Sequence, residues 1–252
     1  MVKIFAKTDI GRKRSMNQDS LFCSETPLGN LPNLFVVADG MGGHSAGDYA
    51  SSCAVRTIEN EVMLNEETEP IKIMKQAIEA ANTEVYKKAE SDPAYSGMGT
   101  TVVMGTIIDD VLYIANVGDS RLYLIDDEIT QITKDHSYVE EMVQSGKLTE
   151  EEARVHPDKN IITRAVGVLD SVVPDFFEVD VREDDRILLC SDGLSNMVTD
   201  EEIFKIVREE GDLGDHTDKL IKLANHNGGK DNITVILVDP FFDENGVIEV
   251  GR

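Results

Sequence analysis

The sequence of 252 residues has little positive charge, few cysteines and no long hydrophobic run. Its 24 Lys and Arg residues face 48 Asp and Glu residues, which gives a net charge of −24. This balance argues against a general binder of nucleic acid or of an anionic membrane, because the phosphates would be repelled. It is compatible with simple solubility and also with the binding of divalent cations.

Cysteine is too scarce to cross-link the chain. The three cysteines are odd in number and widely spaced, so no disulfide framework is predicted, and no Cys/His cluster has zinc spacing. We interpret Cys53 and Cys190, which lie in apolar surroundings, as small buried residues. The N-terminus lacks the apolar core of a signal peptide and no run reaches membrane-spanning length, so we expect a cytoplasmic protein.

The chain does contain enough apolar material for one sizeable core. Hydrophobic residues make up 41% of it, which favours a globular fold over disorder. No internal repeat, low-complexity tract or Gly/Ser linker divides it, so we predict a single domain over residues 1–240. Residues 241–252 are uninformative and are interpreted as a C-terminal tail.

Hydrophobic periodicity predicts both strands and helices. Alternating β-branched residues predict successive strands at residues 100–108, 111–117 and 121–125. Their links are so short that only antiparallel neighbours can be joined, which predicts a meander. Further strands are predicted near residues 34–38, 187–190 and 233–238. Helices are predicted near residues 46–58, over 71–85, after a Thr199/Glu202 capping box, and over 218–225. Helices outside antiparallel strands indicate an α+β layered domain.

One segment, residues 134–167, differs from the rest of the chain. It is polar, contains SGKLTEEEARVHPDKN, and can form only short helices. A stretch of this length inside a compact domain is usually functional, so we predict a flap or lid here.

Four aspartates stand at the ends of predicted strands. Asp39 and Asp192 each follow an apolar run and precede a glycine, Asp119 lies in the turn of IANVGDSR, and Asp231 directly precedes a strand. Any one of them alone is most simply a turn residue. Together they could converge at one sheet edge, where carboxylates repel one another unless cations neutralise them. Oxygen ligands without clustered His or Cys favour Mg²⁺ or Mn²⁺, and a neighbouring glycine lets a backbone carbonyl approach the same ion.

A short basic segment, GRKRSMNQD at residues 11–19, stands out in this acidic chain. Basic residues beside a carboxylate-held metal could hold an anionic substrate, and arginine can grip a phosphate through two hydrogen bonds. The alternative is a solvated surface loop, and the residues alone leave both interpretations open.

Eight motifs follow one another along the chain: TDIGRKRSMNQD, VVADGMGGH, GMGTT, ANVGDSRLYLI, ITKDHS, RAVG, LLCSDGLSNMV and GGKDNITVILV. In this order they resemble the metal-dependent protein phosphatase family (PPM, type 2C), and the chain looks like a bacterial single-domain member over residues 1–240. The resemblance implies a four-layer αββα sandwich, with two antiparallel sheets flanked by helices and a flap subdomain at about residues 134–167. It also implies a binuclear metal centre at one end of the sandwich.

The resemblance further implies metal ligands at matching positions. Asp39 would bridge two metals, and the Gly40 carbonyl would bind one of them. Asp192 and Asp231 would hold the other metal. The ions would be Mg²⁺ or Mn²⁺, two per site and possibly a third.

Other residues take supporting roles by the same resemblance. Asp19 would lie in the outer shell and reach a metal-bound water, and Asp119 would join Asp192 at the third metal. Arg14 matches the phosphate-binding arginine of the family. Many eukaryotic relatives carry a histidine directly after the Asp-Gly pair, where this chain has Met41. His44 is the candidate general acid instead, with a capping role in the following helix as the alternative.

The function implied is hydrolysis of phosphoserine and phosphothreonine monoesters in proteins by metal-activated water. Partners would be phosphorylated proteins, including a cognate Ser/Thr kinase and its substrates, and a monomer is the default. A two-metal phosphodiesterase or nuclease is one alternative, disfavoured because no basic, aromatic groove is evident. A non-catalytic, metal-stabilised regulatory domain is another, disfavoured because the expected metal-binding aspartates are all present.

Overall fold

Two antiparallel β-sheets occupy the centre of the molecule in the computed structural model, which describes residues 1–43 and 46–242. In these residues the strands are β1 (Lys3–Asp9), β2 (Asp19–Ser24), β3 (Leu34–Met41), β4 (Gly99–Thr100), β5 (Val102–Ile108), β6 (Val111–Val117), β7 (Arg121–Ile125), β8 (Ile129–Gln131), β9 (Asp175–Asp180), β10 (Arg186–Cys190) and β11 (Ile233–Asp239). The first sheet has the order β1-β11-β10-β7-β8. The second has the order β2-β3-β5-β6-β9, with the short β4 paired to β3.

Helices cover the outer face of each sheet. The described helices are α1 (Ala46–Leu64), α2 (Pro70–Ser91), α3 (Tyr138–Gln144), α4 (Glu150–Val155), α5 (Asp192–Ser195), α6 (Asp200–Val207) and α7 (Leu213–His226). The helices α1 and α2 pack on the second sheet, and α6 and α7 pack on the first. The predicted α+β fold, a four-layer αββα sandwich, is therefore confirmed. No helix in the described ranges is long and apolar enough to cross a membrane.

Strand β3 shows why the apolar run before the first Asp-Gly pair is unbroken. Successive side chains of a strand point to opposite faces. Leu34, Val36 and Ala38 pack in the core under α1, whereas Phe35 and Val37 pack in the core between the sheets. All five are fully buried, so every position of the run from Leu34 to Ala38 is apolar. Burial of a large side chain such as Phe35 stabilises the fold by about 1.5–3 kcal/mol.

The predicted meander is confirmed at its first link and wrong at its second. Strands β5 and β6 pair antiparallel along their whole length. Strand β6 then pairs with β9, whereas β7 pairs with β10 and β8 in the other sheet. The link of residues 118–120 therefore crosses between the sheets, and Gly118 permits the crossing with a φ of +109°. Because β6 and β7 are largely buried on both faces, their pattern cannot distinguish a neighbour in the same sheet from one across the core.

Capping residues set where two of the helices begin. Thr199 and Glu202 exchange the two hydrogen bonds of a capping box at the start of α6, as predicted. Helix α7 begins at Leu213, earlier than the predicted start at residue 218. Asp212 caps it there by accepting a hydrogen bond of 2.7 Å from the Asp215 amide.

Residues 134–167, here called the flap, contain two short helices, α3 and α4, as predicted. An isolated bridge pairs Val166 with Thr100 of β4 and so connects the end of the flap to the second sheet. Asn82 on α2 holds the turn that follows, because its Nδ2 donates to the Leu169 carbonyl and its Oδ1 accepts from the Gly167 amide. The limits of the domain and of the flap remain predictions.

Candidate metal centre

Four aspartates converge at one end of the two sheets. The register of β2 with β3 places Asp19 directly opposite Asp39. In the other sheet β10 and β11 are antiparallel neighbours, so Asp192, just after β10, lies near Asp231, just before β11. The two sheets bring these pairs together. Burial, and then the charges of Asp19, Asp192, Asp119 and Asp231, raise the pKa of Asp39 well above its usual range.

Two of these carboxylates have a buried oxygen with no hydrogen-bond partner among the described residues. Asp19 Oδ2 accepts hydrogen bonds of 2.7 Å from Ser191 Oγ and Thr234 Oγ1, but its Oδ1 is buried and unpartnered. Asp192 Oδ2 accepts from Asn196 Nδ2 at 2.9 Å, and its Oδ1 is likewise buried and unpartnered. A buried carboxylate oxygen without a donor destabilises the fold. A bound cation would relieve both oxygens.

The crowding of negative charge also appears in the other pKa values. Burial, and then the charges of Asp231 and Asp19, raise the pKa of Asp192 to about 7. Burial raises the pKa of Asp19 to about 6, although its two hydroxyl donors act in the opposite direction. Burial and the charge of Asp192 also raise the pKa of Asp119 well above its usual range, which places Asp119 at the same cluster. Such perturbed groups are typical of functional sites.

The donor set fits a hard divalent cation. Its candidate ligands are carboxylate and carbonyl oxygens, which Mg²⁺ and Mn²⁺ prefer. Within residues 1–43 and 46–242, however, no three His, Cys, Asp or Glu side chains are already arranged as ligands of one ion. Which of the carboxylates bind, and how many ions they hold, remains a prediction.

The glycines that follow the two strand-end aspartates are required by close backbone contacts. A Cβ on Gly40 would lie 2.0 Å from the carbonyl oxygen of Gly47 at the start of α1. A Cβ on Gly193 would lie 1.8 Å from the carbonyl oxygen of Asn232. Packing alone therefore explains both glycines, and the metal-binding role of the Gly40 carbonyl remains a prediction.

Arg14 is brought against the carboxylate cluster. Its Nη2 donates to Asp231 Oδ2 at 2.7 Å. This hydrogen bond, together with the charges of Asp39 and Asp192, raises the pKa of the guanidinium despite its partial burial. Because 48% of the Arg14 side chain is exposed, an anion could reach it from solvent. The position supports the substrate-binding interpretation of the basic segment over a purely solvated loop.

Sequence reasoning missed Asn232, which ties the basic segment to the start of β11. The Asn232 side chain is almost fully buried. Its Oδ1 accepts from the Gln18 amide at 2.8 Å, and its Nδ2 donates to the carbonyls of Ile10 at 2.9 Å and Met16 at 3.0 Å. Both ends of the segment that carries Arg14 are held in this way. The available signal was the place of Asn232 inside the motif GGKDNITVILV.

Sequence reasoning also missed two buried threonines of the motif GMGTT. Thr101 Oγ1 accepts from the Asp39 amide at 2.9 Å, and Thr100 Oγ1 donates to the Asp39 carbonyl at 2.9 Å. The Thr101 amide donates to the same carbonyl at 2.9 Å. These three hydrogen bonds fix the backbone of Asp39, and they therefore fix the position from which its side chain projects.

Further expectations concern one histidine and two cysteines. His44, the candidate general acid, lies outside the described residues, so its role stays a prediction. Cys53 and Cys190 are buried, as predicted. Burial raises the pKa of the Cys190 thiol to about 12, so it is a packed residue and not a nucleophile.

A second cluster of charged groups, here called the flap-base network, comprises Arg121, Asp135, His136, Arg164 and Asp175. Arg121 donates to both oxygens of Asp135 at 2.8–3.1 Å. His136 Nδ1 accepts from a backbone amide at 2.9 Å, and its Nε2 lies 3.1 Å from Asp175 Oδ2. Arg164 donates to Asp175 Oδ1 at 2.6 Å. Partial burial would raise the pKa of Asp175, but the hydrogen bonds from His136 and Arg164 outweigh it and lower the pKa.

Known proteins resemble this chain over most of its length. A family model described as protein phosphatase 2C matches residues 8–233. The serine/threonine phosphatase stp of Listeria monocytogenes is 42% identical over 247 residues, which cover 95% of this chain and 96% of that protein. The crystal structure of serine/threonine phosphatase Stp1 from Staphylococcus aureus has a TM-score of 0.89 at 38% identity and covers 95% of both chains. The catalytic domain of the phosphatase PstP, in complex with two manganese ions, has a TM-score of 0.84 at 34% identity, covering 94% of this chain and 97% of that one.

Proposed function

This chain belongs to the protein phosphatase 2C family, and from that membership we propose that it hydrolyses phosphoserine and phosphothreonine monoesters of proteins at a binuclear Mg²⁺ or Mn²⁺ centre. At the coarser level it is a serine/threonine phosphoprotein phosphatase. One observation carries the finer proposal: the convergence of Asp19, Asp39, Asp192 and Asp231, two of which have a buried oxygen without a partner in the described residues. The two manganese ions bound by the similar PstP domain support the same metal chemistry.

The proposed ligands are divided between the two sheets. From the second sheet, Asp39 would contact both ions and the Gly40 carbonyl would contact one. From the first sheet, Asp192 and Asp231 would hold the other ion. When bound, a pair of such cations supplies the charge that activates an attacking water and stabilises the phosphoryl transition state.

The supporting residues would orient the ligands and the substrate. Ser191 and Thr234 hold Asp19 Oδ2 and leave its Oδ1 toward the cluster, where it would reach a metal-bound water. Asp119 would join Asp192 at a third cation. Arg14 would release Asp231 and bind the substrate phosphate through two hydrogen bonds.

The charge of the chain makes a cation necessary in this proposal. With a net charge of −24 and several crowded carboxylates, the metal-free site would repel a phosphate dianion. Bound divalent cations would reverse the local sign and admit the phosphate. Arg14 is already at the cluster and would add to that attraction.

The substrates would be phosphorylated proteins, including a cognate Ser/Thr kinase and the proteins that this kinase modifies. The enzyme would act in the cytoplasm as a monomer, through a single domain of residues 1–240 with its flap at residues 134–167.

Phosphate release from a phosphothreonine peptide, measured with Mn²⁺ and then with excess chelator, tests the proposal. We expect metal-dependent turnover that the chelator abolishes. Asp231→Asn should lower kcat/KM by at least ~100-fold, because even the partners of metal ligands contribute 10–100-fold. The matched control is Asp127→Asn, at an exposed aspartate in the turn between β7 and β8, which should leave turnover unchanged.

A comparison of esters separates the alternatives. We expect p-nitrophenyl phosphate to be hydrolysed much faster than bis(p-nitrophenyl) phosphate. Faster turnover of the diester would replace the proposal with a phosphodiesterase. Folded protein that is inactive with every divalent cation would instead indicate a regulatory domain.

A further inference from the structure

A pocket lies at the end of the first sheet opposite to the carboxylate cluster. Its walls come from the start of β1, the end of β11, residues 207–214 and the first turn of α7. Strand β11 starts just after Asp231 and ends at Asp239, which lines this pocket. Seven strand residues span about 20 Å, so the pocket is distinct from the proposed metal site.

The pocket has the size and apolar wall of a small-molecule site. Its volume is about 590 Å³, within the roughly 300–1,000 Å³ that is usual for ligand pockets. The apolar part of its wall comprises Ile4, Phe5, Val207, Leu213 and Phe242. Phe5 is 41% exposed, so part of its ring is accessible from the pocket. An apolar or aromatic body of a ligand would find contacts here.

Arg208 places an uncompensated positive charge in the same pocket. Its Nη1 donates to the backbone carbonyl of Asp184 at 2.9 Å. No carboxylate pairs with its guanidinium in the part of the chain that the structure describes. A guanidinium has five N–H donors in a planar fork, so several remain for a carboxylate or phosphate.

The acidic residues of the pocket wall are occupied by other groups. Asp239 pairs with Arg186 at 3.0 Å, and Glu209 pairs with Lys219 at 2.9 Å. Asp212 accepts the capping hydrogen bond at the start of α7. Of these three carboxylates only Asp212 lacks an ion-pair partner among the described residues, and none of the three pairs with Arg208, so the guanidinium can still bind an anion.

His216 supplies a second polar atom to the pocket wall. Its side chain is buried, with 5% exposure, and its Nε2 has no hydrogen-bond partner among the described residues. Nε2 lies 3.0 Å from the point where a Cβ on Gly211 would stand, so a side chain at that pocket-lining position would crowd the ring. Burial, and then the charge of Lys219, lower the pKa of His216, although a backbone hydrogen bond at Glu209 and the charges of Asp212 and Glu209 act in the opposite direction, so the neutral form of the ring is favoured. A buried neutral nitrogen of this kind is suited to a polar group of a bound molecule.

We propose that this pocket binds a small amphipathic anion. Its apolar body packs against Phe5 and Leu213, its carboxylate or phosphate binds Arg208, and a polar atom near the body meets His216 Nε2. The site is independent of the proposed phosphatase chemistry, and its test does not require turnover.

Naphthalene-2-carboxylate is a suitable probe, compared by calorimetry with neutral naphthalene-2-carboxamide and with inorganic phosphate. Chelator is included so that the carboxylate cluster holds no cation and repels anions. We expect saturable one-to-one binding of the carboxylate, at least about tenfold tighter than the amide, because charge-assisted hydrogen bonds are roughly twice as strong as neutral ones. Binding should also shift the imidazole ¹⁵N resonances of His216.

Two variants locate the probe. Arg208→Gln should weaken carboxylate binding to the level of the amide, and Phe5→Ala, at an exposed position that does not endanger folding, should weaken both probes. The matched control is Arg56→Gln on α1, because Arg56 also donates to a backbone carbonyl but lies outside the pocket. It should leave affinity unchanged.

Four results would overturn the proposal. They are no saturable binding of the carboxylate, equal affinity for carboxylate and amide, phosphate alone binding as tightly as the carboxylate, and full affinity in Phe5→Ala. If Arg208→Gln unfolds, the carboxylate–amide difference and Phe5→Ala still decide the outcome.

Discussion

The carboxylate cluster around Asp39 and the flap-base network around Asp135 are both built from partly buried charges, and they balance those charges in opposite ways. In the flap-base network each acidic group has a basic partner: Asp135 has Arg121, and Asp175 has Arg164. In the carboxylate cluster several aspartates share one exposed arginine, and two of their oxygens have no partner within the described ranges. In the first arrangement each acidic charge is compensated, whereas in the second the carboxylates repel one another unless a cation binds. This unbalanced charge supports the proposal that the active site lies at this end of the molecule.

The largest expected effect breaks the cluster itself. Asp39→Asn should lower kcat/KM toward a phosphothreonine peptide in Mn²⁺ by at least ~100-fold, since a proposed ligand is lost. In chelator the same substitution should raise the melting temperature, because it removes one of several repelling carboxylates. A lower melting temperature in chelator would show that the crowding does not destabilise the metal-free protein.

Breaking the flap-base network should lower stability more than activity. Asp135→Asn leaves Arg121 without its charged partner and should lower the free energy of unfolding by roughly 3 kcal/mol, which urea titration would measure. Turnover should fall far less than in Asp39→Asn. The matched control is again Asp127→Asn, which should stay within about 0.5 kcal/mol of the parent protein. If Asp135→Asn also changed the free energy of unfolding by only about 0.5 kcal/mol, the pairing of Asp135 with Arg121 would contribute little to stability.

The pH dependence of stability should separate the two regions further. The pKa values of Asp19, about 6, and Asp192, about 7, exceed the usual value for aspartate. The folded state therefore binds protons more tightly than the unfolded one, and this stability is lost as pH rises through 6–7. In chelator we expect the free energy of unfolding to fall by on the order of 2 kcal/mol between pH 5 and pH 8, since one pKa unit corresponds to about 1.4 kcal/mol.

Two conditions sharpen this pH prediction. Saturating Mn²⁺ should remove the decline, because a cation stabilises the ionised carboxylates. Asp192→Asn should reduce it. The lowered pKa of Asp175 acts in the other direction, since its contribution is lost as pH falls. Stability that rises from pH 5 to pH 8 in chelator would mean that paired groups, and not the cluster, dominate.

The smallest expected effect concerns Arg14, the basic residue of the cluster. Arg14→Lys keeps the charge but loses the planar fork that can hold a phosphate through two hydrogen bonds. KM for the phosphopeptide should rise by about tenfold, equivalent to ~1.4 kcal/mol, with a smaller change in kcat. Arg12→Lys provides the comparison on the same segment. An equal effect of both changes would mean that the segment contributes only diffuse charge.

Much of the fold was predictable because buried strands and amphipathic helices leave a periodic pattern. Strand β6 has the predicted bounds, and the capping box at Thr199 marks the start of α6. The path from β6 to β7 was not predictable, because both strands are largely buried and a short link can join neighbours in one sheet or across the core. The early start of α7 was missed because its first turn is polar and depends on the Asp212 cap.

The candidate site was also only partly predictable from the sequence. Aspartates at strand ends are visible in the sequence because each interrupts an apolar run. The hydroxyl and amide groups that position them, such as Thr101 and Asn232, were not recognised because their partners are backbone atoms far away in the chain. Long-range contacts of this kind leave no local periodicity.

By itself, the sequence determined the types of chemistry available: an acidic chain, aspartates at strand ends, one basic segment and no zinc-type cluster. It also determined most of the secondary structure, because propensity and periodicity are local properties. Only the tertiary structure decided that Asp19 stands opposite Asp39, that Arg14 reaches Asp231, and that Arg208 and the buried His216 share a distant pocket. Distances between groups far apart in sequence are set by how the sheets and helices pack, and they determine which carboxylates repel, which are paired and which can bind a ligand.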